Sequence, residues 1–291
     1  MLIKHPVWQA RIHRFRRNRL GFFSLIMFSL IFLACMGANL IANDKPILVN
    51  YQNHWYFPIV KSYPETTFGG VFETETNYQD PVVKDLINQH GYMIEPMIPF
   101  ADQTPSVSRD VPFPAPPNAQ NWFGTDDQGR DVLARVLYGL RVSLLFGLAL
   151  TVAGSIIGIA VGAVQGYFGG WTDLVGQRLM EVWGGLPQLF MIIILVSLFS
   201  PSVFVLFGLM LLFGWMGLVG LVRAEFLRAR NFDYVRSAKA MGVSDAKIMF
   251  RHILPNAMSS SLSQLPFILT ANITALTTLD YLGYGLPAGS P

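Results

Sequence analysis

The sequence predicts an all-α polytopic membrane protein, with five visible spans and an extracytoplasmic insertion after the first. Three observations lead there. Of the 291 residues, 52% are hydrophobic and only 13% charged, about half the charge of a typical soluble domain, and the mean hydropathy is +0.41. Several uncharged runs reach the roughly 20 residues that a helix needs to cross a hydrocarbon core of about 30 Å. The basic residues stand in separate clusters beside these runs, a pattern that orients lipid-inserted chains. The net charge of +3 therefore does not point to nucleic acid, whose binders gather their basic residues on one face. The single cysteine, Cys35, lies in an apolar run, so no intrachain disulfide can form.

The first span is Leu20 to Ile41, which has no charged side chain. Lys4, Arg11, Arg14, Arg16, Arg17 and Arg19 precede it without an acid, and the positive-inside rule keeps this N-terminus cytoplasmic. The run is too long for the apolar part of a cleavable signal peptide. Residues 1–41 thus form a basic N-terminus and first span, and 42–120 a periplasmic region. From Ala42 to Arg141 there are 12 acids against 7 bases, with aromatics and turn formers enough for a small folded region. Pro96, Pro99, Pro105, Pro112, Pro114, Pro116 and Pro117 cannot enter a helix or inner strand and predict an extended tether.

The second span is Val142 to Val164, whose Gly147, Gly154, Gly158 and Gly162 predict close approach of a neighbouring helix. Gly184 to Val222 is uncharged over 39 residues, the length of two spans joined at Ser200, Pro201 and Ser202. The fifth runs from Ala257 to Leu279. By this count segment 223–256 is cytoplasmic, and it is basic: Arg223, Arg228, Arg230, Arg236, Lys239, Lys247 and Arg251 against Glu225, Asp233 and Asp245. Five spans leave the C-terminus outside, and parity with a cytoplasmic C-terminus asks for a sixth helix beyond Pro291.

The chain carries no energy source that its sequence can show. No Asp, Glu, Lys, Arg or His lies in the five apolar runs, so the intramembrane group of a proton relay is missing. No Gly-Lys pair exists, so there is no Walker A loop; any ATP is hydrolysed by a partner. No catalytic cluster is visible. Asp126, Asp127 and Asp131 lack the alternation and closing Glu of an EF-hand, so no metal is expected. Asp126 or Asp127 is read instead as the cap of a helix on the outer leaflet, with Val132, Leu133, Val136, Leu137 and Leu140 as its apolar stripe. In the basic segment, Asp233 caps a helix from Tyr234 to Met241. Gly242 takes its left-handed C′ position, and Ser244 caps a second helix that stops before Pro255. The polar residues within spans, Ser155, Ser197, Gln264, Asn272 and Thr274, line a substrate path or bond between helices.

The run Tyr234-Val-Arg-Ser-Ala-Lys-Ala-Met-Gly242 with Arg251-His-Ile-Leu-Pro-Asn256 resembles the EAA loop of permease subunits in binding-protein-dependent ABC importers. Arg236 stands where the motif has Glu, Ser237 where it has Ala, and His252 where many members have Ile. Asn121-Trp-Phe-Gly-Thr-Asp-Asp-Gln-Gly-Arg-Asp131, Gly166-Tyr-Phe-Gly-Gly-Trp-Thr-Asp173 and Leu279-Asp-Tyr-Leu-Gly-Tyr-Gly285 resemble the dipeptide, oligopeptide and nickel branch. Tyr56-Phe-Pro and Tyr63-Pro-Glu-Thr-Thr-Phe-Gly-Gly70 are similar to the inner-membrane permease of the Yej-type importer for peptides and microcin C.

The resemblance implies that 121–291 is an ABC permease domain in the bacterial inner membrane, embedded in lipid. Its implied partners are a second permease subunit, ABC ATPase subunits that bind ATP and Mg, and a periplasmic substrate-binding protein. Asp233, Tyr234, Arg236, Ser237, Ala238, Lys239, Ala240, Gly242, Leu254 and Pro255 would couple to the ATPase. A membrane-anchored binding module leaves four spans unused, and a channel leaves the bent basic segment without a task.

Overall fold

The computed structural model describes residues 13, 15–105, 112–200, 202–287 and 290; the expectations on Lys4, Arg11, Arg14 and Pro201 lie outside the described residues. The chain is mostly helical and divides into two compact units, residues 1–142 and 143–290.

In the first unit, α1 (Arg19–Met36) starts where the Asn18 side chain accepts from the Gly21 amide. Leu20, Phe23, Met27 and Leu30 stand exposed along it, as an apolar helix in lipid requires. After Gly37 a further turn, α2 (Ala38–Ile41), closes the span. The next segment departs from the all-α expectation. β1 (Leu48–Tyr51), β2 (His54–Tyr56) and β3 (Gly91–Ile94) form an antiparallel sheet in the order β2-β1-β3. Gln52 and Asn53 both take positive φ, 50° and 63°, the backbone of the tight hairpin turn whose twist matches its strands. Strands of three and four residues are too short to show an alternating pattern in sequence. Helix α3 (Pro81–His90) is capped by Asp80, which accepts from the Val82 amide, with Pro81 in its first turn. The core of this region is Phe68, fully buried, ringed edge-on by Tyr51, Tyr56, Tyr63 and Tyr78 at 5.3 to 6.3 Å between centroids.

The described parts of the proline-rich stretch are packed, which corrects the tether there. The Ile98 amide donates to Ile41 O and its carbonyl accepts from Asn43 N; Ile98 and Phe100 then share a buried cluster with Ala38, Ala42, Ala134 and Tyr138. Proline removes a donor but keeps an acceptor, and flanking residues supply the missing bonds. Ala115 donates to Thr125 Oγ1 at 2.9 Å and accepts from the Thr125 amide at 3.0 Å.

The cap of the next helix is Asp131, not Asp126 or Asp127. Fully buried, Asp131 accepts from the Ala134 amide at 2.7 Å and from Asn121 Nδ2 at 2.9 Å. Asp126 is the hub of the preceding loop. It accepts from the Gln128 and Arg130 amides, from Arg130 Nε at 2.9 Å and from Arg135 Nη1 at 2.5 Å. Burial works against its charged form, but these backbone and guanidinium donors outweigh it and hold the carboxyl below its ordinary pKa.

Helix α4 (Val132–Phe168) has 37 residues, about 55 Å at 1.5 Å per residue. The expected surface helix and second span are therefore one element. Arg141 interrupts the apolar run but not the helix, because it stacks on Tyr138 at 4.7 Å and donates to Asn39 Oδ1 at 2.9 Å.

In the second unit α5 (Gly170–Gly184) and α6 (Gln188–Leu198) meet at 74°, around Pro187. With 11 residues α6 is too short to cross by itself; the pair together supplies the length. Helix α7 (Val203–Gly214), a 3₁₀ turn (Trp215–Leu218) and α8 (Val219–Ala229) form one continuous span. The basic segment holds α9 (Asp233–Ala240), α10 (Asp245–Lys247) and a π-turn (Ile248–Ile253), which leads into α11 (Leu254–Tyr281). Among the described residues four helices are long and apolar enough to cross a membrane, or five if the bent pair is one span.

The glycine stripe of α4 does bring a neighbour close. A Cβ on Gly158 would collide with the Trp215 carbonyl oxygen; on Gly162 it would sit 2.7 Å from Val219 O, and on Gly166 2.5 Å from Arg223 O. Gly147 faces Ile273 of α11 instead. Gly158→Val should push the α7–α8 span away at a cost of about 3 kcal/mol, lowering the melting midpoint of the purified protein by several degrees. Gly208→Val, in open space, should leave the midpoint unchanged. The Asp126 network gives a pH test: a carboxyl with a lowered folded pKa adds stability above about pH 4 and loses it as pH falls through the folded value. Acid melts should show that loss in the wild type, and Asp126→Asn should be less stable at neutral pH and lack this acid dependence.

Candidate functional site

The basic segment is an exposed face on a buried back. On α9 only Val235 and Ala238 are buried, three residues apart and so on one side of the helix. They enter a cluster with Phe226, Ile248, Met249, Ile253, Ala257 and Tyr167, which ties α9, the π-turn, α8 and the end of α4 into one body. Asp233, Tyr234, Arg236, Ser237, Lys239 and Ala240 all point outward. Met241 (75% exposed) and Phe250 (69%) add exposed apolar surface to this segment. Among the described residues no acid lies within ion-pair distance of Arg236, Lys239, Lys247 or Arg251.

Local chemistry sets the shape. Gly242 has φ +76°, its amide donates to Lys239 O and the Val243 amide to Ala238 O, the paired bonds of a Schellman stop. The expected cap differs by one residue. Phe232 is the N-cap and Asp233 the first helical residue, with no side-chain bond; there its carboxylate still favours the positive end of the helix dipole. Ser244 precedes α10 without a side-chain bond. The second helix does not stop before Pro255. Pro255 sits in the first turn of α11, directly after the π-turn, and Leu254 packs on the buried cluster.

Two polar bonds that single residues did not announce fix this body. Tyr167 donates its hydroxyl to Asp245 Oδ1 at 2.6 Å, joining α4 to α10. Arg223 grips Asp173 with Nε and Nη2, joining α8 to α5. Tyr167 and Asp173 lie in the block Gly166 to Asp173 that stood out in the sequence, though nothing there named their partners.

The five polar span residues separate. Asn272 lines a cavity of about 560 Å³ with Gln188, Phe213, Gly214, Met216 and Ile268, and its Nδ2 donates to Thr151 Oγ1 at 3.0 Å. Gln264 and Thr274 are exposed on α11. Ser197 donates to Ile193 O within its own helix. Ser155 is buried, and its hydroxyl finds no partner among the described residues.

Residues 144–291 match the family of binding-protein-dependent transport system inner membrane components. The chain belongs to this family. It is a permease subunit of an ABC importer, and ATP hydrolysis lies in partner subunits. Residues 7–58 also match the N-terminal TM domain of oligopeptide transport permease C. The permease is 54% identical over 286 residues to the inner membrane ABC transporter permease protein YejE of Escherichia coli K12, covering 98% of this chain and 84% of that one. It is 47% identical over 312 residues to the peptidoglycan transport system permease protein YejE of Agrobacterium fabrum, covering 98% and 81%. With the dipeptide transport system permease protein DppC of Bacillus subtilis the match is 37% over 173 residues, 60% of this chain and 54% of that one.

The Tyr167 bond is testable in the permease. Removing one hydrogen bond to a carboxylate costs on the order of 1.5 kcal/mol. Tyr167→Phe should therefore raise deuterium exchange in 233–247 severalfold while exchange in α7 stays as in the wild type.

Proposed function

We propose that this permease serves an ATP-driven importer of peptides or peptide-like compounds in the bacterial inner membrane. It would work beside a second permease, two ATPases that hold ATP and Mg, and a periplasmic binding protein. The cargo is carried over from relatives whose names assign them dipeptide, oligopeptide and peptidoglycan transport. The observation that carries the coupling role is the outward face of α9 and the turn after it, which combines cations that have no ion-pair partner among the described residues with Tyr234 and Met241 on a firmly packed back. Such a face suits a groove on another protein, since Tyr, Met and Arg are enriched where proteins meet.

In this reading the N-terminus and segment 223–256 are cytoplasmic, and residues 42–120 are periplasmic, between the first and second of five spans. The permease domain then occupies 121–291. The basic composition of residues 1–19 and of 223–256 supports this orientation through the positive-inside rule. Asp233, Tyr234, Arg236, Ser237, Ala238, Lys239, Ala240 and Gly242, with Leu254 and Pro255 behind them, receive the movement of the ATPases on closing around ATP. Because the π-turn leads into α11 without a break, that movement reaches the helix bearing Gln264, Asn272 and Thr274, which we place along the path, with Ser155 on α4 and Ser197 on α6 as further candidates.

Gly242→Val tests the coupling. Its Cβ would meet nothing within 4 Å, so the change acts on the backbone alone, at roughly 1 kcal/mol or more for a branched residue in the left-handed region. In vesicles holding the full complex, peptide uptake should fall at least about tenfold while ATPase activity persists and the assembled permease stays at wild-type amount. Unchanged uptake would refute α9 as the coupling element.

A further inference from the structure

The 560 Å³ cavity holds two carboxamides on different helices, Gln188 on α6 and Asn272 on α11, among apolar walls. Leu189, Ile192, Phe213, Met216 and Ile268 line it, and no ionisable side chain does. It opens beside the 3₁₀ turn, where Gly214 and Gly217 put backbone instead of side chains on the wall. The neighbouring indole of Trp215 is held elsewhere, donating to Leu212 O at 3.0 Å, as Trp183 does at 3.1 Å.

The orientation of Asn272 follows from a short chain of bonds. Thr151 has one hydroxyl proton and gives it to Gly147 O at 2.7 Å. Its oxygen can then only accept, so the group at 3.0 Å is the NH₂ end of Asn272. The carbonyl end is turned to Gly214, whose built Cβ would be 3.8 Å from Oδ1, on the cavity side. Asn272 therefore presents a fixed acceptor, and Gln188 across the same cavity brings both a donor and an acceptor.

We propose that this cavity is a subsite for the main chain of the peptide in transit, which rests on the peptide cargo argued above. A peptide group carries one N–H and one C=O, the complement of the Asn272 acceptor and the Gln188 donor. A charged terminus or side chain entering here would lose its hydration without gaining a counter-charge, so the subsite takes neutral main chain and small or apolar side chains. It reads little of the sequence, because its polar groups meet atoms that every peptide has.

The test uses the complete complex with both permeases, the ATPases and the binding protein, and tetra-alanine as probe. A Met216→Cys reporter in a Cys35→Ser background is alkylated in detergent, and modification at position 216 is read by mass spectrometry. Tetra-alanine should slow that reaction about fivefold, and its fully N-methylated analogue, which has lost the amide donors, should not. Asn272→Leu should abolish the protection, and so should Gln188→Leu, whose exposed position spares folding. Absence of protection while the wild-type complex imports tetra-alanine overturns the subsite and leaves the peptide importer standing. Equal protection by the methylated analogue shows a plain apolar slot and overturns main-chain reading. Failure of the wild-type complex to import any peptide overturns the cargo reading and the subsite with it.

Discussion

The second unit depends on the contact of one backbone with another. Between α4 and the α7–α8 span, Gly158, Gly162 and Gly166 leave no side chain at the crossing, and carbonyl oxygens of Trp215, Val219 and Arg223 occupy the space a methyl group would need. Without a hydrophobic effect between helices in lipid, attraction comes from such close van der Waals packing and from polar bonds. Here the polar bonds lie at one end of the crossing: Arg223 with Asp173, and Tyr167 with Asp245. The outward face of α9 inherits its position from this chain of contacts, because Val235 and Ala238 pack on residues that the crossing holds in place.

The same dry setting explains the many hydroxyls of α11. Thr270, Thr277 and Thr278 each donate to a carbonyl four residues back, which satisfies them without a partner helix. A threonine in a span thus carries no information by itself about a path. A carboxamide does, since its NH₂ and C=O ends cannot both close onto the preceding turn, and Asn272 reaches α4 for that reason.

What was legible in the sequence was local. Gly242 could be placed because a left-handed stop needs only the residues beside it, and the glycine spacing of α4 announced a close neighbour without saying which. The helix–bend–helix shape and the permease family followed from motifs of the same kind. Choices among equals were not legible. Asp126, Asp127 and Asp131 are all able to cap, and Asp131 wins through the distant side chain of Asn121. Arg141 looked like the end of an outer region, and only Tyr138 and Asn39 show how a helix runs through it. The strands escaped notice because three or four residues make no period, and Gln188 because a bend of 74° brings it to the cavity.

The π-turn at Ile248–Ile253 also bears on how this segment can vary. A π-turn holds one residue more than the α-turn it interrupts, so the side-chain phase of α11 is offset from that of α10 by one position, about 100° of rotation. Ile248 and Met249, adjacent in sequence and both buried, open that widened turn. A deletion of one residue here would let the helix regularise at no cost to its own hydrogen bonds, yet it would turn α11 as a screw turns and carry Asn272 away from Thr151. Length in this stretch is therefore fixed by the rotational setting of a helix that lies beyond it, whereas the identity of an exposed residue such as Phe250 is left to whatever surface meets it.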